Sequence, residues 1–545
     1  MGLWSFVPRR LGPSVPEKGP VGPLVCAGPG ISAIITMHYS ILFASISPRF
    51  PTEPAKIPWR YTMCGIAGVF EAEGATGLIT SILFAIQHRG QESCGAAAKD
   101  PSGRILLHKG MGLVKQVLTE EIQERLAGNS AIGHVRYPTA GRSDVLNSQP
   151  HVIELAQGPI MAIASNGDLI NYGELRARLE REGVVFKSDN DAELIGRMIA
   201  MYHVKERLEI EEAIARVQKE LKGAFSTVLL FRDRLYAFRD PHGFRPFAMG
   251  HLSQAGPGEP PSEGTVFSSE SCGFGIIGAR FLREVKPGEI LRLEKGQPVK
   301  SVGQAALAPR HCVFELIYFS RPDSVVFGEP VWRARQSIGA LIAAKDAALP
   351  GGPDLVAMPV PDSSNFIAMG YAKAKGAEFG MGLLRNHYVG RTFIKPTQAS
   401  RDEGVKQKFN PLPEYFPGKR VVLIDDSIVR GTSLRKLVSM LRRAGAKEVH
   451  VRIGSPKVIG RCFYGIDTPT ADELIANRMS GEEIRAYLGA DSIRWLEMPD
   501  FEDLLPGRRR DFCTACFDLD YIYPPEGFAA KTNAPAERQP PPIPL

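Results

Sequence analysis

Val421-Val422-Leu423-Ile424-Asp425-Asp426-Ser427-Ile428-Val429-Arg430-Gly431-Thr432-Ser433 decides the fold of the second half of this chain. An apolar run reads as a buried strand that ends in two adjacent carboxylates. A turn of Ser, Gly, Thr and Ser then enters residues 434–443, which read as a helix, with Gly445 beyond its end. Residues 448–453 form the next expected strand, and 354–360 an earlier one. Strand, helix and strand at this spacing predict a βαβ unit, hence an α/β domain with a parallel sheet. Ligands of such sheets bind beyond the carboxyl ends of the strands. Backbone N–H groups at a helix start hold phosphate, and hydroxyls add donors. A cap needs one Asp, so the pair Asp425-Asp426 points to ribose hydroxyls or to magnesium, which prefers hard oxygen ligands.

This stretch resembles the phosphoribosyl pyrophosphate (PRPP) loop of type I phosphoribosyltransferases. The resemblance gives Asp425 and Asp426 to the ribose diol and Ser427, Arg430, Gly431, Thr432 and Ser433 to the 5-phosphate. Pro361-Asp362-Ser363-Ser364, after the strand at 354–360, is similar to the family segment that helps bind Mg2+. Ser363, Asp425 and Asp426 are therefore the expected magnesium residues. Arg391-Thr392-Phe393-Ile394-Lys395-Pro396, with Arg401 and Lys406, resembles the basic loop that closes over pyrophosphate, with Arg391 a substrate contact.

The first half carries a different chemistry. Met63-Cys64-Gly65-Ile66-Ala67-Gly68-Val69-Phe70 begins a strand after 62 residues rich in Pro and Gly with no sustained period. Strands are expected at 159–165 and 226–231, and helices at 172–182, 192–202 and 209–221, giving a layered α+β domain. Cys64-Gly65-Ile66-Ala67-Gly68 resembles the opening of the N-terminal-nucleophile (Ntn) amidotransferases, which implies a four-layer αββα domain that hydrolyses glutamine. A free α-amino group, with a pKa near 7.7–8.0, can take the proton of its own thiol. The chemistry thus requires Cys64 at the start of the mature chain. Residues 1–63 read as a removed or disordered leader or as an upstream start codon, and Met63 before Cys64 favours the latter.

Four further segments match that family in order. His88-Arg89-Gly90-Gln91-Glu92 resembles a loop near the glutamine. Gly133-His134-Val135-Arg136-Tyr137 resembles one whose arginine, Arg136, forks onto the α-carboxylate. Ser165-Asn166-Gly167-Asp168 resembles the oxyanion hole, with Asn166 and Gly167 as donors. Asp191 matches the acid that receives the α-amino group.

Cys513-Thr514-Ala515-Cys516, with Cys272 and Cys462, makes a set of four thiols whose spacing suits zinc or an iron cluster equally. The two halves together resemble the amidophosphoribosyltransferases, over about residues 64–525. One branch carries a structural [4Fe–4S] cluster, so the resemblance implies Cys272, Cys462, Cys513 and Cys516 as its ligands. Cys94 and Cys312 read as buried small apolar residues. The family reaction moves ammonia from glutamine to C1 of PRPP, giving 5-phosphoribosylamine, the committed step of purine synthesis. Tyr318 and Phe319 are expected at the junction between the two sites. The resemblance also implies a homodimer or homotetramer and feedback inhibition by purine nucleotides.

Bulk properties agree. The chain has 545 residues, 44% apolar and 23% charged, with a net charge of +7. That excludes disorder of the whole chain. No aromatic-basic nucleic-acid motif occurs. The apolar run 31–46 is short for a membrane span, which needs about 20 residues, and too far from the start for a signal peptide. A cytoplasmic enzyme is expected, free of membrane and nucleic acid. The expected divisions are a leader at 1–63, an Ntn domain at 64–300, a phosphoribosyltransferase domain at 301–490, and a cysteine-bearing segment with a disordered tail at 491–545.

Overall fold

Strand Gly65–Phe70 sets the layering of the first half, because its alternate side chains enter different cores. Ile66 and Phe70 pack between two sheets, while Ala67 and Val69 pack beneath helix Ala75–Ala85. The computed structural model describes residues 64–137, 143–155, 158–254, 262–386, 408–466, 468–525 and 528. Cys26 and the segment 1–63 lie outside the described residues, as does the lid with Arg391, Arg401 and Lys406.

The first sheet has seven strands, in the order Arg280–Glu284, Ala248–Gln254, Ser262–Ser268, Gly65–Phe70, Ser130–Arg136, Ser93–Lys99 and Ile105–Met111. The second has six, in the order Lys300–Gln304, Glu289–Glu294, Arg234–Arg239, Gly223–Phe231, Gly158–Leu169 and His151–Leu155. Ala164, Val228 and Leu230 of the second sheet meet Ile66, Ile132 and Phe267 of the first. Helices Asp191–Lys205 and Ile210–Glu220 cover the second sheet through Leu194, Ile195, Met198, Ile214 and Val217. The helical spacing of Ile210, Ala213, Ile214 and Val217 was legible in the sequence for this reason. The result is the expected αββα stack.

The second half is a parallel sheet in the order Glu378–Phe379, Leu355–Pro359, Arg420–Asp425, Glu448–Ile453 and Ser492–Trp495. Along Arg420–Asp425, Val422 and Ile424 face helices Val331–Ala344 and Asn365–Lys375. Val421 and Leu423 face helix Thr432–Arg443 on the other side. Burial on both faces explains the unbroken apolar run. Two expected boundaries shift. Lys300–Gln304 is still a strand of the Ntn sheet, so that domain passes residue 300. Ser492–Trp495 closes the parallel sheet, so the second domain passes residue 490.

The halves meet at a buried ionic seam. Glu315 opens a short π-type helical turn, Glu315–Phe319, with no solvent exposure of its side chain. It accepts hydrogen bonds from Arg89 of the first half at 2.8 and 3.1 Å, and from Ser320 at 2.6 Å. Arg245, also fully buried, lies 3.4 Å away. Arg89 pairs further with Glu270, which His88 contacts at 2.7 Å and the Arg321 N–H and Ser324 hydroxyl at 2.8 Å each. Burial opposes ionisation of Glu270, but His88 and Arg89 outweigh it and hold the carboxyl well below its ordinary value. Its stabilising contribution is therefore present at neutral pH and lost as pH falls below about 4.3. Breaking such a network strands an arginine in the interior, which costs about 3–5 kcal/mol. Glu315→Ala is expected to lower the denaturant midpoint by an amount equivalent to that cost; a loss below about 1 kcal/mol would mean the arginines find other partners.

Candidate active sites

One pocket in the first half is lined by Cys64, Ser165, Gly167, Asp168 and Asp191, among others. The strands deliver them: Cys64 precedes Gly65–Phe70, and Ser165 to Asp168 end Gly158–Leu169. Asp191 starts helix Asp191–Lys205, with Asn190 capping it through Ala192 N–H at 2.9 Å. Gly167 is required here, because a Cβ would fall 1.9 Å from Ala224 O. Burial pushes the Cys64 thiol up to about 11, against the opposing pull of the Tyr137 N–H and the Arg136 charge. A thiol held that high needs a base at its side before it can attack at neutral pH.

Three residues of the matched segments are held by partners within the protein. Asn166 Oδ1 accepts from Cys64 N at 3.3 Å, while Nδ2 donates to Ser269 Oγ at 3.4 Å. Arg136 pairs with Glu92 at 2.7 Å, both side chains nearly fully buried. Arg89 Nε donates to the Cys64 carbonyl at 3.0 Å. The His88–Glu92 segment therefore positions the nucleophile and Arg136; its resemblance had marked only proximity to glutamine.

In the second half Asp425 and Asp426 stand at the carboxyl end of the strand Arg420–Asp425, as expected. Ser363 Oγ donates to Asp426 Oδ2 at 2.6 Å and Ser427 Oγ to Oδ1 at 2.7 Å. Ser364 Oγ lies 3.4 Å from Asp425 Oδ1. Burial raises both carboxyls, and the charge of Asp426 further opposes ionisation of Asp425, while Ser363 and Ser427 favour the ionised Asp426. Gly431, at φ 74°, turns the chain into helix Thr432–Arg443, whose start no side chain caps. Its N–H groups, with Thr432 and Ser433, are free to meet a phosphate. Arg430 points elsewhere, pairing with Glu473 at 3.0 Å on the surface. Such a pair is weak enough to exchange for phosphate. Buried Arg335, unmarked in the sequence, donates to Leu316 O at 3.0 Å and Ser320 O at 2.7 Å beside Asp426.

Comparison with known proteins identifies what the two pockets belong to. Residues 143–271 match the glutamine amidotransferase domain model and 372–453 the phosphoribosyl transferase domain model. The chain is 43% identical to chloroplastic amidophosphoribosyltransferase 2 of Arabidopsis thaliana over 85% of its length and 80% of the relative's. It is also 43% identical to the amidophosphoribosyltransferase of Methanothermobacter thermautotrophicus, covering 94% of it. The solved glutamine PRPP amidotransferase from B. subtilis, complexed with ADP and GMP, superposes with a TM-score of 0.74 at 38% identity, over 84% of this chain and 97% of that one. A second solved chain, described as the allosteric regulatory enzyme of purine biosynthesis, gives a TM-score of 0.77 at 38% identity, over 85% and 97%.

The chain belongs to the amidophosphoribosyltransferase family. Its reaction is the glutamine-dependent amination of PRPP in purine biosynthesis.

The cysteines of this amidophosphoribosyltransferase group differently from the expected set. Cys312, Cys462, Cys513 and Cys516 share one hydrophobic core. Cys312 and Cys513 are direct partners in the parallel pair His311–Cys312 and Phe512–Cys513. Ile459 and Gly460, beside Cys462, donate to the Cys516 carbonyl at 2.9 and 3.0 Å. Cys272 belongs to another core, with helix Ala75–Ala85, and its Sγ faces Glu270 at 3.8 Å. Cys312 is buried, as expected, and it is Cys312 rather than Cys272 that shares a core with Cys462, Cys513 and Cys516. The parallel pairing of segments 200 residues apart had no local sequence signal. Burial drives up the Cys312, Cys513 and Cys516 thiols, and each also feels its neighbours. Arg245 approaches Cys462 Sγ at 4.0 Å, and Tyr464 N–H donates to it at 3.4 Å. Among the described residues no three such side chains stand in metal-ligand geometry.

Phe319 lies at the seam as expected, its ring 4.9 Å from the Arg89 guanidinium, and Tyr318 packs edge-on to it at 5.9 Å. Gly167→Ala is expected to lower glutamine-dependent kcat by about 100-fold or more, because its Cβ would collide with the Ala224 carbonyl and push the pocket wall out of place. A rate within threefold of wild type would mean that the strand yields without disturbing the pocket.

Proposed function

We propose that the reaction is divided between the two pockets, with Cys64 cleaving glutamine and the Asp425–Ser433 loop holding PRPP. Cys64 Sγ attacks the side-chain amide carbon, ammonia leaves, and water releases glutamate from the thioester. The freed α-amino group of residue 64 takes the thiol proton, which requires the Met63–Cys64 peptide bond to be absent in the active chain. Asp191 receives the substrate's ammonium, Arg136 its carboxylate, and Asn166 with Gly167 the oxyanion. Ammonia then adds to C1 of PRPP and pyrophosphate leaves. The observation that carries this reading is the convergence of Cys64, Gly167 and Asp191 on one pocket.

Ser363, Asp425 and Asp426 would hold magnesium, and the fit rests on hard oxygen donors gathered at the end of strand Arg420–Asp425, with Ser363 Oγ 2.6 Å from Asp426 Oδ2. Magnesium, when bound, neutralises the departing pyrophosphate. Arg391 would close over the same charges, and Ser427, Arg430, Gly431, Thr432 and Ser433 would seat the 5-phosphate. Cys312, Cys462, Cys513 and Cys516 fit a structural [4Fe–4S] cluster by donor chemistry: four thiols from three segments beside a buried arginine. The reading extends to a cytoplasmic homodimer or homotetramer regulated by purine nucleotides. The ADP and GMP of the B. subtilis structure support that regulation. Among the described residues no helix is long and apolar enough to cross a membrane.

Cys64→Ser is expected to abolish glutamine-driven synthesis while sparing synthesis from free ammonia at high pH; equal loss of both contradicts the division. Iron and sulfide analysis should give about four irons per chain. Cys312→Ser should lose them and Cys272→Ser keep them, and zinc in their place would refute the cluster.

A further inference from the structure

Two carboxylates meet beside Cys64. Asp168 lies near the end of strand Gly158–Leu169, and Asp191 opens helix Asp191–Lys205. Both line the pocket, and the charge of Asp191 opposes ionisation of Asp168. Two carboxyls this close hold one proton between them more readily than two negative charges. Asp191 Oδ2 also accepts from Leu169 N–H at 2.8 Å, which fixes its direction.

Among the described residues, no Lys or Arg lines the pocket. Asp189, at the rim, is paired with Arg176 at 2.8 Å. Tyr172 approaches from helix Tyr172–Arg181 and brings no positive charge. Arg245 is the cation that Asp168 feels, but its guanidinium is held by Tyr464 O at 2.8 Å and by Glu315. The Cys64 nitrogen is directed at Asn166.

We propose that Asp168 is the second carboxylate of the seat for the substrate's α-ammonium, and that each glutamine bound displaces the proton Asp168 shares with Asp191. This rests on the pocket being the glutamine site. The balance is simple: the zwitterion keeps its ammonium, both carboxylates become ionised, and one proton goes to solvent. Burial, reinforced for Asp168 by the charge of Asp191, raises both carboxyls, Asp191 to about 7. The sign follows. Glutamine prefers the deprotonated pair, so affinity rises with pH through neutrality until the substrate's own ammonium dissociates. The seat also selects for a free amino group, so N-acetylglutamine should be rejected.

The test is calorimetric titration of the Cys64→Ala variant with glutamine at pH 8, in buffers of different ionisation enthalpy. About one proton should be released per glutamine. With Asp168→Asn added, release should fall near zero, because Asp191 is then ionised before substrate arrives. In turnover, Asp168→Asn should raise KM for glutamine about tenfold, lower kcat less, and flatten the dependence of KM on pH below neutrality. Glutamine that binds the intact pair without releasing a proton overturns the proposal, with no variant at 168 needed. Glutamine that fails to bind at all overturns the glutamine-site reading itself.

Discussion

A carboxylate without access to water governs this structure. Glu315 lies between Arg89 and Arg245, and none of the three side chains has any solvent exposure. Ions so placed are tolerable only when every one is paired. The two halves cannot slide or part without breaking that pairing, so the seam fixes one pocket relative to the other. Each arginine also has a second task. Arg89 holds the Cys64 carbonyl, and Arg245 holds the Tyr464 carbonyl beside Cys462. Cys64 and the core that holds Cys462 are thus joined through three charged side chains. Gly465, at φ 103°, completes the contact, lying against Gly167 of the pocket beside Cys64.

Both pockets hold an acid pair in which one member is raised by the other: Asp191 opposes ionisation of Asp168, and Asp426 that of Asp425. In the proposed reading a cation completes each pair, an ammonium in one and a divalent metal in the other. Affinity in both halves would then be tied to proton release, though the cations differ in kind.

Much of this was legible in the sequence. The unbroken run Val421–Ile424 and the helical spacing of Ile210–Val217 each report their local packing, so those elements could be read directly, whereas Gly65–Phe70 showed only that a strand begins, not that it serves two cores. Cys64, Gly167, Asp191, Asp425 and Asp426 could be named because each sits in a short contiguous motif. The residues that were missed act across the chain. Glu315, Glu270, Arg245 and Arg335 are single charges in apolar surroundings, and only the packing of distant segments explains them. Cys312 was read as buried, which it is, but its place beside Cys513 has no sequence signal until strand Phe512–Cys513 is laid against it.

The central claim is that two separate pockets run one reaction across a fixed seam. Glutamine hydrolysis measured with and without PRPP, on chain whose mass begins at Cys64, tests it most directly. The account predicts that PRPP accelerates glutamate release and that nearly every ammonia produced appears as phosphoribosylamine. Hydrolysis at the same rate in both conditions, or by chain still carrying residues 1–63, would contradict it.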